Sequence, residues 1–174
     1  MNGKLLVASP KLDTGIFARS VAMVTEHGIN GTVGVVLNRP SGTTVSNMMH
    51  QLNITDLSTY DDLILMGGPI RERNISLLHT NEWYSASTQV INSHFSISND
   101  QFMLEKLVMQ NTPYEWLMIA GSAGWAPGQL QKELDEDLWL TIDANPAIVF
   151  SSKKEELWNI AIEIYSQTMV ENFF

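Results

Sequence analysis

Two short polar groups and one serine are the residues whose types and spacing could do chemistry. Glu26-His27 sets a carboxylate beside an imidazole, which titrates near neutral pH and would serve as a general base with its orienting acid. A histidine at a strand end also commonly fixes a hairpin through backbone hydrogen bonds, and that plainer reading has the stronger claim. Ser122 lies in the run A-G-S-A-G, whereas a nucleophile elbow needs glycines two before and two after its serine; here they fall one before and two after. Asn38-Arg39-Pro40 closes an apolar run, and a guanidinium fixed there could pair a carboxylate or phosphate bidentately, or simply form a surface ion pair. His27, His50, His79 and His94 show no HExxH or other ligand spacing, so no metal is expected, and no cofactor fingerprint is present.

The stretch that must position these groups is Leu117 to Leu134, LMIAGSAGWAPGQLQKEL. An apolar run of strand length, Leu117 to Ala120, breaks into Gly121, Gly124, Pro127 and Gly128 and resumes with helical spacing at Leu130 and Leu134. The expectation is a strand, a tight turn and a helix. Pro127 suits a first helical turn, and free N–H groups there would suit an anion. No Lys-Ser or Lys-Thr pair follows the glycines, so this is not a phosphate loop. Trp125 is expected to anchor the turn against the core.

The run Gly121, Ala123, Gly124, Trp125, Pro127, Gly128, Gln129, Leu130, Glu133, Leu134, followed by Trp139 and Leu140, resembles the AlgH/YqgE family of bacterial proteins. The resemblance extends over Phe17 to Val21, Glu26-His27, Gly34 to Pro40, Gly67-Gly68-Pro69-Ile70, Leu78-His79, Phe150 and Trp158. Ser122 stands where the family usually carries an aromatic residue, and Gln131 where it usually carries an acid. The resemblance implies a mixed, mostly antiparallel bifurcated sheet, partly barrel-like and surrounded by helices. It also implies a transcription-related regulatory role, since the family name comes from a link to alginate synthesis.

With 174 residues, 44% of them apolar and 17% charged, the chain has the composition of one well-cored domain over 1–174. A net charge of −9, with ten Lys and Arg spread along the chain, disfavours direct binding to nucleic acid. There is no cysteine, which removes disulfides, thiol nucleophiles and thiolate metal sites. No signal peptide or membrane-length apolar window is present, and a cytoplasmic location is expected.

Leu5–Ala8 reads as a strand, and Ser20–Glu26 and Thr32–Asn38 read as a hairpin joined through Gly28, Asn30 and Gly31. Pro40 should end the second hairpin strand, and Thr44 should cap a helix from Val45 to Leu52. Further strands are expected at Leu63–Met66, Asn74–His79, Gln89–Ile97, Trp139–Ile142 and Ala147–Phe150. Ser98 with Gln101 fits a capping box before a helix over Phe102–Met109. The last helix, about Lys153–Met169, carries Leu157, Trp158, Ala161, Ile164 and Tyr165 on one stripe. Hairpins mixed with helices argue for an α+β fold.

If the strands before Gly67-Gly68 and before Gly121 are neighbours, the two glycine corners, with Gly124, Gly128 and Gln129, line one groove. Asn38, Arg39, Glu26 and His27 then stand near its rim, and Trp125, Trp139 and Trp158 are structural. The reading is a non-catalytic protein that binds a small anionic ligand or a protein partner, the rival being a hydrolase using Glu26-His27 or Ser122.

Overall fold

The computed structural model describes residues 1–54 and 60–174. Its architecture is α+β: a curled, mostly antiparallel half-barrel sheet with helices around it. β1 (Leu5–Ala8) is apolar at every position and buried throughout, because both of its faces are covered. β2 (Val21–Gly28) and β3 (Gly31–Val36) form the expected hairpin, closing at Gly28 and Gly31. Pro40 does not end a strand but opens β4 (Pro40–Thr44), opposite Leu65 of β5 (Leu63–Met66); on this edge strand a missing N–H is tolerated. Thr44 caps α1 (Val45–Gln51), accepting the Asn47 N–H at 3.1 Å.

β6 (Ile70–Thr80) is longer than the sequence suggests. The strand expected over Gln89–Ile97 is two strands, β7 (Gln89–Val90) and β8 (Phe95–Ser98), which pair with each other. Asn92 makes the break: its side-chain oxygen accepts the N–H groups of His94 and Phe95 at 2.9 and 3.1 Å. α2 (Gln101–Val108) is capped by Asp100 and not by Ser98, whose hydroxyl instead bonds His79 Nε2 at 2.8 Å and Thr88 at 2.7 Å.

β9 (Trp116–Trp125) runs straight through the glycines read as a turn. The turn is confined to the residues before α3 (Gln129–Asp135), and Gly128, with φ of 80°, rather than Pro127, stands at the helix entry. β10 (Trp139–Ile142) follows and pairs with β1. Ala147–Ser151 is a turn of π-helix where a strand was expected, tied by the Asn145 side chain to the Ile148 N–H at 2.9 Å. Lys154 Nζ donates to the Val149 carbonyl at 2.6 Å, and burial lowers this amine from 10.5 to about 8. α4 (Leu157–Glu171) completes the chain, with Leu157 and Ala161 of the expected stripe fully buried.

The sheet order is β10-β1-β2-β3-β9-β6-β8-β7, and β4-β5 branches from β9. β9 makes the branch. Its first half lies beside β5 in parallel, with Leu65 facing Ile119 and Met66 facing Ala120; its second half lies beside β3, with Gly34 facing Ala123. Three cores result. Alternation sends Leu5, Val7, Met23 and Val35 to the interior, where α4 packs, and Leu6, Ala22 and Val36 to the opposite face with Leu130 and Trp139. Leu77 and Met118 join α1 and α2 in the third.

Asp100 does more than start α2. Its carboxylate accepts from the Ser85 hydroxyl at 2.6 Å, from the Ser87 N–H and hydroxyl at 2.9 and 2.8 Å, and from the Met103 N–H at 3.0 Å. Partial burial raises the carboxyl, but these bonds outweigh it and hold it at about 2 against an ordinary 3.8. A depressed native value means that this stabilisation is complete above the ordinary value and is lost as pH falls through about 2. Asp100→Ala is expected to cost about 1 kcal/mol or more at neutral pH. Its acid-unfolding curve by circular dichroism should be flatter than the wild type's as pH is lowered through that window; parallel curves would refute the assignment.

Candidate functional site

The two glycine corners do meet, but backbone to backbone. Gly67 donates its N–H to Ala120 O at 2.7 Å and its carbonyl accepts the Val36 N–H at 2.9 Å, so β5 hands its place beside β9 to β3 at this residue. A Cβ on Gly67 would lie 2.4 Å from Gly121 O, and one on Gly68 2.2 Å from Ser122 O. The glycines therefore weld the branch of the sheet and leave no room for a ligand between them. Gly121, with φ of 79°, also reverses the facing of β9: Ile119 packs in the interior core, whereas Ala123 and Trp125, at the same parity, pack on the opposite face.

Two recesses flank this weld. The first, of about 320 Å³, continues the interior of the half-barrel, with Val35 and Ile97 as its floor. Thr25 and Glu26 reach it from the end of β2, and Gly121 and Ser122 from β9. Ser87, Gln89 and Asn99 close a third side, which Asp100 fastens through its bonds to Ser87. The fourth side is a bulge in β6. Ile70 faces Ser122 and Ile75 faces Ala120, so residues 71–74 stand opposite Gly121 alone. That excess turns Arg71 and Asn74 into the recess, and Arg71 sits at φ of 48°, an arrangement a non-glycine residue adopts at a cost of about 1 kcal/mol or more.

The second recess, about 250 Å³, lies on the other side and is mostly apolar, with Phe17, Val36, Met66 and Gly68 beside Arg39 and Glu72. Arg39 and Glu26 are thus not on one rim. The Arg39 guanidinium donates to the Ala18 carbonyl, to the Ser20 hydroxyl at 3.3 Å and to Asn38 O at 3.4 Å. Burial and then the Arg19 charge lower its pKa. Asn38 is buried and used at both ends, accepting the Val21 N–H at 2.9 Å and donating to Arg19 O at 2.8 Å.

The remaining candidates are scattered. His27 Nδ1 bonds the Thr32 hydroxyl at 2.7 Å across the hairpin. Ser122 is a mid-strand residue, paired with Ile70, and has no elbow geometry. Gly124 lines a shallow hollow with Glu26, Ile70 and Trp125. Gly128 has open space around it, and Gln129 caps its own turn, accepting the Ala126 N–H at 2.9 Å. Trp125 and Trp139 are buried edge-to-face, with ring centroids 5.8 Å apart, and both donate Nε1 to one oxygen of Glu133, at 2.9 and 2.8 Å. Trp158 donates to Ala8 O at 2.8 Å and carries the Arg19 guanidinium 4.5 Å above its ring. Among the described residues no three His, Asp or Glu side chains gather as a metal site.

Sequence reasoning missed Arg71, Asn74 and the loop fastened by Asp100 as parts of one recess. The available signal was the strand itself: I-R-E-R-N-I is too polar for the centre of a sheet, as expected of a segment that bulges out of its ladder.

A branched, curled sheet wrapped by helices, with a polar recess opening from its interior, defines an α+β half-barrel protein. The chain belongs to the AlgH-like family, whose profile matches residues 5–169. A UPF0301 protein of Shewanella sp. (strain W3-18-1) is 33% identical over 163 residues, covering 91% of this chain and 87% of the relative. One from Aliivibrio fischeri (strain MJ11) is 30% identical over 170 residues, covering 94% and 91%. The solution structure of the AlgH protein from Pseudomonas aeruginosa superposes with a TM-score of 0.78 at 32% identity, over 92% of this chain and 86% of that one. A crystal structure from Corynebacterium diphtheriae shares the fold, with a TM-score of 0.74 at 24% identity over 91% and 84%. No helix among the described residues is long and apolar enough to cross a membrane.

Proposed function

We propose that this chain is a non-catalytic binding protein of the cytoplasm, with a transcription-related regulatory role exerted through a small ligand that carries an anionic group. The 1–174 chain acts as one unit in this reading, and Arg71 is the anchor. The observation that carries it is the β6 bulge, which holds Arg71 at a costly positive φ over the recess beside Gly121 and Ser122. Strain of that kind persists where surrounding structure over-determines it, commonly at ligand sites. The net charge of −9 argues that regulation does not run through direct contact with nucleic acid. Hydrolysis finds less support, because His27 is bonded to a hydroxyl and Ser122 lies mid-strand.

A thermal-shift screen of small carboxylates, phosphates and nucleotides against the full chain tests this, since a ligand bound only by the folded state raises Tm. Arg71→Ala is expected to weaken the compound that binds by about tenfold or more, the effect of one charge-assisted hydrogen bond. Arg39→Ala should leave its affinity unchanged. Binding lost in Arg39→Ala and kept in Arg71→Ala would overturn the assignment.

A further inference from the structure

We propose that the recess selects a zwitterion, specifically a free α-amino acid, with its carboxylate on Arg71 and its ammonium on Glu26. The inference rests on the reading of this recess as the ligand site and specifies what that site recognises.

Arg71 and Glu26 line the same recess from opposite strands, β6 and β2. They are not an ion pair with each other: among the described residues the ion pairs are Lys4–Asp143 and Lys11–Asp137, both elsewhere. Two opposite charges that share a recess without meeting present a dipole to whatever enters. A simple anion on Arg71 would face the Glu26 carboxylate uncompensated, and a simple cation on Glu26 would face the guanidinium; a molecule with both charges satisfies both. The same recess is lined by Asn74, Gln89 and Asn99, whose side-chain amides can donate and accept; the Asn99 oxygen already takes the Ser87 hydroxyl at 2.7 Å. The lining holds no aromatic ring, hence no stacking platform for a base or a sugar, while its floor is aliphatic. A volume of about 320 Å³ is at the small end of ligand pockets and accommodates an amino acid with a polar side chain.

The full chain is titrated by calorimetry with L-glutamine, with 4-carbamoylbutanoate, which lacks the α-ammonium, and with 4-aminobutanamide, which lacks the carboxylate. A thermal-shift screen of the twenty standard amino acids and inorganic phosphate precedes the titration. If another amino acid gives the largest shift, its own pair of truncated analogues replaces these two. The expected result is an amino acid bound at least tenfold more tightly than either truncated analogue. Glu26→Gln should abolish its advantage over the carboxylate-only compound, and Arg71→Gly, which relieves the positive φ while removing the guanidinium, its advantage over the amine-only one. If 4-carbamoylbutanoate or phosphate binds as tightly as any amino acid, and Glu26→Gln changes nothing, the zwitterion is refuted while the anion site at Arg71 stands. If an amino acid binds but neither variant affects it, or if no compound of either screen binds, both readings fall. Far-ultraviolet circular dichroism of each variant separates loss of binding from loss of fold.

Discussion

Gly68→Ala is expected to destabilise the fold by about 3 kcal/mol or more. Its φ of 147° is one that L side chains rarely adopt, and its added Cβ would lie within 2.2 to 2.6 Å of three backbone atoms of Ser122 and Ala123. Backbone on both sides cannot step aside as the end of a flexible side chain would. Gly128→Ala is the control: it has a φ of 80° but nothing within 4 Å of the new Cβ, so it should cost only about 1 kcal/mol, the penalty of the left-handed backbone. Urea unfolding at constant m-value measures both. Equal midpoints for the two variants would mean that the branch of the sheet is not welded by backbone contact.

Glu133→Ala is expected to cost about 2 kcal/mol or more, although Glu133 is only half-buried. One carboxylate oxygen is the acceptor for both Trp125 Nε1 and Trp139 Nε1, and the two indoles are 5% and 3% exposed. Removing the acceptor strands two buried donors, each costing about 1–3 kcal/mol unless water reaches it. Glu133→Gln keeps an acceptor oxygen and should cost less than half as much. The readout is the unfolding midpoint together with tryptophan fluorescence. If the alanine and glutamine variants are equally stable, the carboxylate's bonds to the indoles contribute nothing.

What could be read from the residues alone was whatever is decided locally. The β2–β3 hairpin is announced by Asn30-Gly31, α1 by Thr44, and α4 by its stripe of Leu157, Ala161 and Tyr165. What failed depended on partners distant in the chain. Gly121 to Gly124 looked like a turn because a strand that changes neighbours and reverses its facing uses the same residue types as a turn. Ala147–Phe150 is apolar enough for a strand, but the Asn145 side chain and the Lys154 amine, both outside the run, bond the π-helical turn found there. The glycine corners were rightly expected to converge. The groove expected between them is filled by their own backbones, and Arg39 and Glu26 were parted because they lie on different faces of the sheet. Arg71 could not be singled out: its positive φ is imposed by a bulge opposite Gly121 and is not written in its residue type.

The pairing of β1 with β10 sets Leu5 against Ile142, so the first strand in chain order waits for the last one before that edge is covered. Closing so long a loop before its contacts reward it makes for slow folding, on the order of milliseconds to seconds. During synthesis at about 5–20 residues per second, the Leu5–Ala8 edge stays open for on the order of ten seconds after it leaves the ribosome. Misassociation along the Leu5–Ala8 edge is therefore open to a newborn chain until the late arrival of Trp139–Ile142 covers it.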